Sequence, residues 1–100
     1  LMDGVKDVNV YNKIFEAVEK VPGASNPHRV RSRMIGNRYI ITLDIEVNPQ
    51  ITITQAHEIA GAVEKSIESS IDNVYDILVH VEPAGECQTD EKFGVDKDMV

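Results

Sequence analysis

Met34-Ile35-Gly36-Asn37-Arg38-Tyr39-Ile40-Ile41-Thr42-Leu43-Asp44-Ile45-Glu46-Val47 is the stretch on which the fold turns. Gly36-Asn37 is a tight-turn signal between two runs of period two. After it, Tyr39, Ile41, Leu43, Ile45 and Val47 alternate with Ile40, Thr42, Asp44 and Glu46. Before it, Val30, Ser32 and Met34 alternate with Arg29, Arg31 and Arg33. The pattern predicts a β-hairpin with one apolar face. If Gly36-Asn37 alone forms the loop, Ile35 pairs with Arg38, and counting outward sets Arg29 opposite Asp44, a favourable cross-strand charge pair. A bulge would shift that register.

Upstream, Val10, Tyr11, Ile14, Phe15, Val18 and Val21 recur at helical spacing. Asp7 or Asn9 can cap that helix, and Pro22-Gly23 ends it. Downstream, Asn48-Pro49 breaks the strand. Thr52 with Gln55 three residues on forms a capping-box pattern. Ala56, Ile59, Ala60, Val63, Ile67 and Ile71 then make one buried stripe. Gly61, beside that stripe, is expected where another surface comes close. A third strand runs from Tyr75 to Val81, with Tyr75, Ile77, Val79 and Val81 on one face and Asp76, Leu78, His80 and Glu82 on the other. Pro83-Ala84-Gly85 stops it.

The order helix-strand-strand-helix-strand predicts an α+β sandwich of ferredoxin-like type, with two helices on one face of a three-stranded sheet. The second helix should carry a crossover between parallel strands. Residues 1–85 are expected to form the domain, and 86–100 a disordered acidic tail. About 80 ordered residues bury only a marginal core. The other sheet face is mixed in character. A dimer would relieve both problems.

The chain has 100 residues, 42% of them hydrophobic, with a formal net charge of −7. That length allows one domain at most. The charge disfavours nucleic acid and anionic membranes, and suits a cation. No run reaches the roughly 20 apolar residues of a membrane span, and no secretory leader is expected. The opening Leu1-Met2-Asp3 is consistent with a piece of a longer protein. The single Cys87 excludes an internal disulfide. It falls in the polar tail, where a role as an extra soft ligand is the lesser reading.

His80-Val81-Glu82 is the most informative chemical feature. Two residues apart on a strand, the imidazole and carboxylate leave the same face. His28, Asp44 and His57 complete a candidate set of divalent-metal ligands. Imidazole and carboxylate suit zinc, manganese, iron or nickel. None of the spacings is a recognised metal motif. Each residue also has a structural reading: Asp44 pairing with Arg29, His80 with Glu82, His28 a surface or hydrogen-bonded histidine, His57 solvated, and the arginines forming a solvated strand face. By strict alternation Asp44 lies opposite the apolar face, while His28 falls on the Val30 side. His57 lies on a helix covering that same side. The five can then meet only at a sheet end or edge, or across a dimer, unless strand parity fails near Pro27. No Gly-x-Ser-x-Gly elbow or phosphate-cradling loop points to an enzyme.

These segments in this order resemble the C-terminal cytoplasmic domain of the cation diffusion facilitator family of metal transporters. The resemblance rests on Leu1-Met2-Asp3, Val21-Pro22-Gly23, His28-Arg29-Val30-Arg31-Ser32-Arg33, Gly36, Leu43-Asp44-Ile45-Glu46-Val47, Gln55-Ala56-His57-Glu58-Ile59-Ala60 and Val79-His80-Val81-Glu82-Pro83. It covers residues 1–83. It implies the same fold and a V-shaped homodimer on the cytoplasmic face of a membrane, below an N-terminal transmembrane domain. Metal bound at the two protomers would close the V and favour transport. His28, His57 and His80 match ligand positions of zinc-transporting members, and Glu82 matches an acidic ligand. Asp44 stands where those members have histidine. The harder carboxylate raises manganese or iron against zinc. Magnetosome iron transporters also belong to this family. A metal-independent structural dimerisation domain is the alternative, and a small-molecule sensor with an apolar pocket is a third reading.

Overall fold

A computed structural model describes residues 8–85 of the chain. Helix α1 spans Val8–Glu19, strand β1 Ser25–Ile35, strand β2 Arg38–Val47, helix α2 Ile53–Ser70 and strand β3 Val74–Pro83. The order and type of all five elements follow the hydrophobic periods. The expected tail falls outside the described residues, as does Asp7. Asn9 lies inside α1 and does not cap it.

Strand β2 is central. It pairs antiparallel with β1 through the Gly36-Asn37 turn and parallel with β3 across α2. Ile41, Leu43 and Ile45 of β2 are each 1% exposed or less and meet Ile14 and Val18 of α1 and Val63 and Ile67 of α2. Both helices therefore cover one sheet face. The α2 start is the capping box read from sequence: the Gln55 N–H donates to Thr52 Oγ1 and the Thr52 N–H to Gln55 Oε1. Two polar ties cross the apolar layer. Ser66 Oγ donates to the Ala17 carbonyl at 2.7 Å. The Ser32 N–H donates to the buried Tyr11 hydroxyl at 3.3 Å.

Two expectations need correction. The β2–β3 ladder slips between Tyr39 and Ile40, so Val74 faces Tyr39. Tyr75 is thereby expelled from the apolar face and left 61% exposed, with the Arg38 guanidinium 5.9 Å from its ring centroid. The close approach expected at Gly61 lies elsewhere. A Cβ there would meet nothing within 4 Å, whereas one at Gly23 would sit 2.8 Å from Ile59 Cδ1. Gly23 also has a φ of +92°, which disfavours any L side chain.

These two glycines should respond oppositely in urea denaturation of the chain. Gly61→Ala should raise stability by about 0.8–1 kcal/mol through helix propensity. Gly23→Ala should lower it by about 1–2 kcal/mol through left-handed strain.

Candidate metal centre

The site begins with a register slip. From Ile35↔Arg38 to Arg31↔Thr42 the hairpin keeps the register expected from its two-residue turn. Beyond Arg31 it shifts, and His28, not Arg29, faces Asp44. A second shift sets Ser25 opposite Glu46. Arg29 and Asn26 both carry φ of +49°, the left-handed conformation that absorbs an extra residue in a bulged strand. Parity therefore fails on both sides of Pro27. The slip carries His28 off the Val30 face and onto the face of Asp44, opposite the helices.

The parallel ladder supplies the rest, setting Asp44 beside His80 and Glu46 beside Glu82. Three strands thus bring His28, Asp44, Glu46, His80 and Glu82 to one patch. Asp44 is buried although it lies on the open face; its side chain is 6% exposed. His80 Nδ1 lies 3.4 Å from Asp44 Oδ1 and 3.5 Å from Glu82 Oε2. Two ligands sharing one first-row ion at about 2.1 Å lie roughly 3.0–3.4 Å apart, so these pairs are close to metal spacing. Donor atoms of Asp44, His80 and Glu82 all fall within 4.8 Å of one another, as do those of His28, Glu46 and Glu82. Glu82 is common to both groups. A shallow cavity of about 530 Å³ adjoins them, lined by Arg29, Arg31, Thr42, Asp44, Leu78 and His80.

The acidic groups already have partners. Arg29 Nε sits 2.7 Å from Asp44 Oδ2, an ion pair formed despite the shifted register. Oδ2 is otherwise buried and lacks a well-aligned hydrogen bond. Glu46 Oε2 accepts from Asn26 Nδ2 at 2.7 Å. His28 is held at both ends: Nδ1 lies 2.7 Å from the Asn26 carbonyl and Nε2 lies 3.0 Å from Glu82 Oε1. A carbonyl and a carboxylate can only accept, so this geometry favours the protonated ring, in which both nitrogens donate. Burial opposes that charge. The hydrogen bond to Asn26 and the negative field of Glu82 and Asp44 outweigh it, and the pKa rises above the ordinary 6.5. Loss of the Nε2 proton would leave a lone pair facing Glu82 and Asp44, with Nδ1–H still fixing the ring plane.

Of the five residues singled out in the sequence, four converge: His28, Asp44, His80 and Glu82. His57 does not join them. It is exposed on α2, in the layer packed against the other sheet face, and belongs to neither donor group. Glu46 was missed, although the i, i+2 rule that joins His80 to Glu82 also joins Asp44 to Glu46. The donor set, two imidazoles and three carboxylates, fits a first-row divalent ion, and the nearly inaccessible Asp44 carboxylate is the kind of group such an ion would hold.

The fold is a two-helix, three-stranded sandwich with imidazole and carboxylate donors gathered on one sheet face. The family model described as the cytoplasmic domain of cation efflux proteins matches residues 7–84. The chain belongs to the cation diffusion facilitator family. It is 35% identical to the magnetosome protein MamM of Magnetospirillum gryphiswaldense over 82 residues, 82% of this chain and 26% of that protein. It is 31% identical to the manganese efflux system protein MneS of Bacillus subtilis over 87 residues, 83% of this chain and 28% of that protein. Among solved structures, the metal-bound C-terminal domain of the CzcD transporter from Thermotoga maritima superposes with a TM-score of 0.78 at 36% identity, covering 83% of this chain and 96% of that one. The chain spans about a quarter of the length of these curated relatives.

The raised pKa of His28 fixes a pH dependence. Its contribution to stability is fully present below the unfolded value, near 6.5, and is lost as pH rises through the higher folded value. Urea midpoints of the metal-free chain should therefore fall as pH rises above about 6.5. His28→Gln should flatten that slope.

Proposed function

We propose that this domain is the cytosolic regulatory and dimerisation module of a divalent-cation efflux transporter. It binds a cation through Asp44, His80 and Glu82, with His28 and Glu46 as the adjoining donors. Binding draws two protomers together and biases an N-terminal transmembrane domain toward transport. The observation that carries this reading is the convergence of Asp44, His80 and Glu82 donors within 4.8 Å on the sheet face opposite α1 and α2. A second copy of the chain can approach that face, and it is where His57 of one protomer could add a donor to the site of the other. Closure follows only if the ion binds the closed pair more tightly than the open one.

The carboxylate-rich set favours iron(II) or manganese(II) over zinc, since oxygen donors suit harder ions. Similarity to a manganese efflux protein supports manganese(II). The bound metal would supply charge and directional bonds. The chain's part is to hold the carboxylates in place and to release the Nε2 proton of His28.

One observation favours a metal-independent dimerisation domain instead: Asp44 and Glu82 are already neutralised by Arg29 and His28. Calorimetry separates the two readings. Manganese(II), anaerobic iron(II) and zinc(II) should each give a saturable heat. His80→Ala, at a side chain 61% exposed, should keep the fold and weaken binding by about 10–100-fold. Sedimentation should show a more compact dimer with metal than without. Equal heats in parent and variant, with an unchanged profile, would leave the structural reading standing.

Proton release is a second check. Below the His28 pKa, manganese(II) binding should expel a proton, so the apparent enthalpy should vary with buffer ionisation enthalpy. His28→Gln should reduce that variation.

A further inference from the structure

We propose that Arg29 is a tethered cation that competes for Asp44 and sets the concentration at which a divalent ion can engage that carboxylate. The inference rests on the metal-binding reading above and concerns a residue outside the donor set. Asp44 has two differently occupied edges. Oδ1 faces His80 at 3.4 Å, while Oδ2 faces the Arg29 guanidinium at 2.7 Å. The carboxylate side chain is 6% exposed and that of Arg29 is 26% exposed, so water screens the pair weakly. An ion held by Oδ1 would place its double charge within a few ångströms of a fixed positive charge. The two repel, and they share one acceptor.

The backbone keeps Arg29 in this position. Its φ of +49° makes it a bulge residue. The same slip gives His28 the position opposite Asp44. The bulge therefore delivers two competitors to one carboxylate, and they behave differently. The imidazolium can yield by losing a proton. The guanidinium cannot, because it stays charged at any accessible pH. Its opposition is relieved only by movement of the side chain or by the gain from ligand bonds.

Manganese(II) calorimetry on the chain, Arg29→Asn and Arg29→Lys tests this. Asparagine removes the charge and tolerates the left-handed backbone, and thermal melts verify folding. Arg29→Asn should tighten binding by about tenfold or more. Arg29→Lys, which keeps the charge, should stay within about threefold of the parent. Unchanged or weaker binding in Arg29→Asn, with normal binding in the parent, overturns the inference and leaves the metal site standing. Equal gains in both variants overturn it too, since charge would not be the cause. No binding in any of the three overturns both this inference and the proposed function. A measurement on the unmutated chain adds a second test: the Arg29 Nε–H resonance should move when diamagnetic zinc(II) is added, as the guanidinium gives up Asp44. A static resonance at saturating zinc(II) overturns the competition.

Discussion

A one-residue slip between β1 and β2 is the constraint on which the site depends. Without it, Arg29 would face Asp44 and His28 would point toward the helices. With it, His28 stands opposite Asp44, and Arg29 still reaches the same carboxylate. The slip is local: two residues with φ of +49° bracket Pro27-His28. Proline has no N–H to give a ladder, so this end of β1 gives up little by leaving regular pairing. From Arg31 to Ile35 β1 keeps the hairpin register, and Val30 stays in the core.

The second ingredient is charge balance. Three carboxylates on an open sheet face would repel one another, and a nearly inaccessible one such as Asp44 would be costly without a partner. Arg29, Asn26 and the protonated ring of His28 supply those partners. A folded, stable domain without metal is thus compatible with a metal site. On the proposed metal-binding reading, an arriving ion would displace these groups, so its affinity would reflect an exchange of partners and not simple addition.

The sequence made the fold legible because its periods are clean. Ile41, Leu43 and Ile45 read as a buried face and are one; Thr52 with Gln55 read as a capping box and is one. What failed was parity. A bulge depends on single residues taking left-handed φ, and Arg29 gives no chemical hint of that, although Asn26-Pro27 does. The same weakness hid the slip at Tyr39, which strands Tyr75 outside the core. Two of the five clustered donors, His80 and Glu82, followed from local spacing alone. Asp44 and His28 were candidates by residue type, but strict alternation set them on opposite faces, and Glu46 was overlooked because no motif flags a second acid on an otherwise ordinary strand. His57 shows the opposite limit: one chain does not bring it to the others.

Strand β2 serves two tasks through alternate residues. Leu43 and Ile45 fill the core, while Asp44 and Glu46, their immediate neighbours, reach the donor groups. A shift of backbone on either side is felt on the other, since neither face can repack alone. If the domain binds a cation as proposed, hydrophobic substitutions beneath the sheet would alter its ion preference from a distance, while changes near Asn26 and Arg29, where β1 already departs from regular geometry, would disturb the core less.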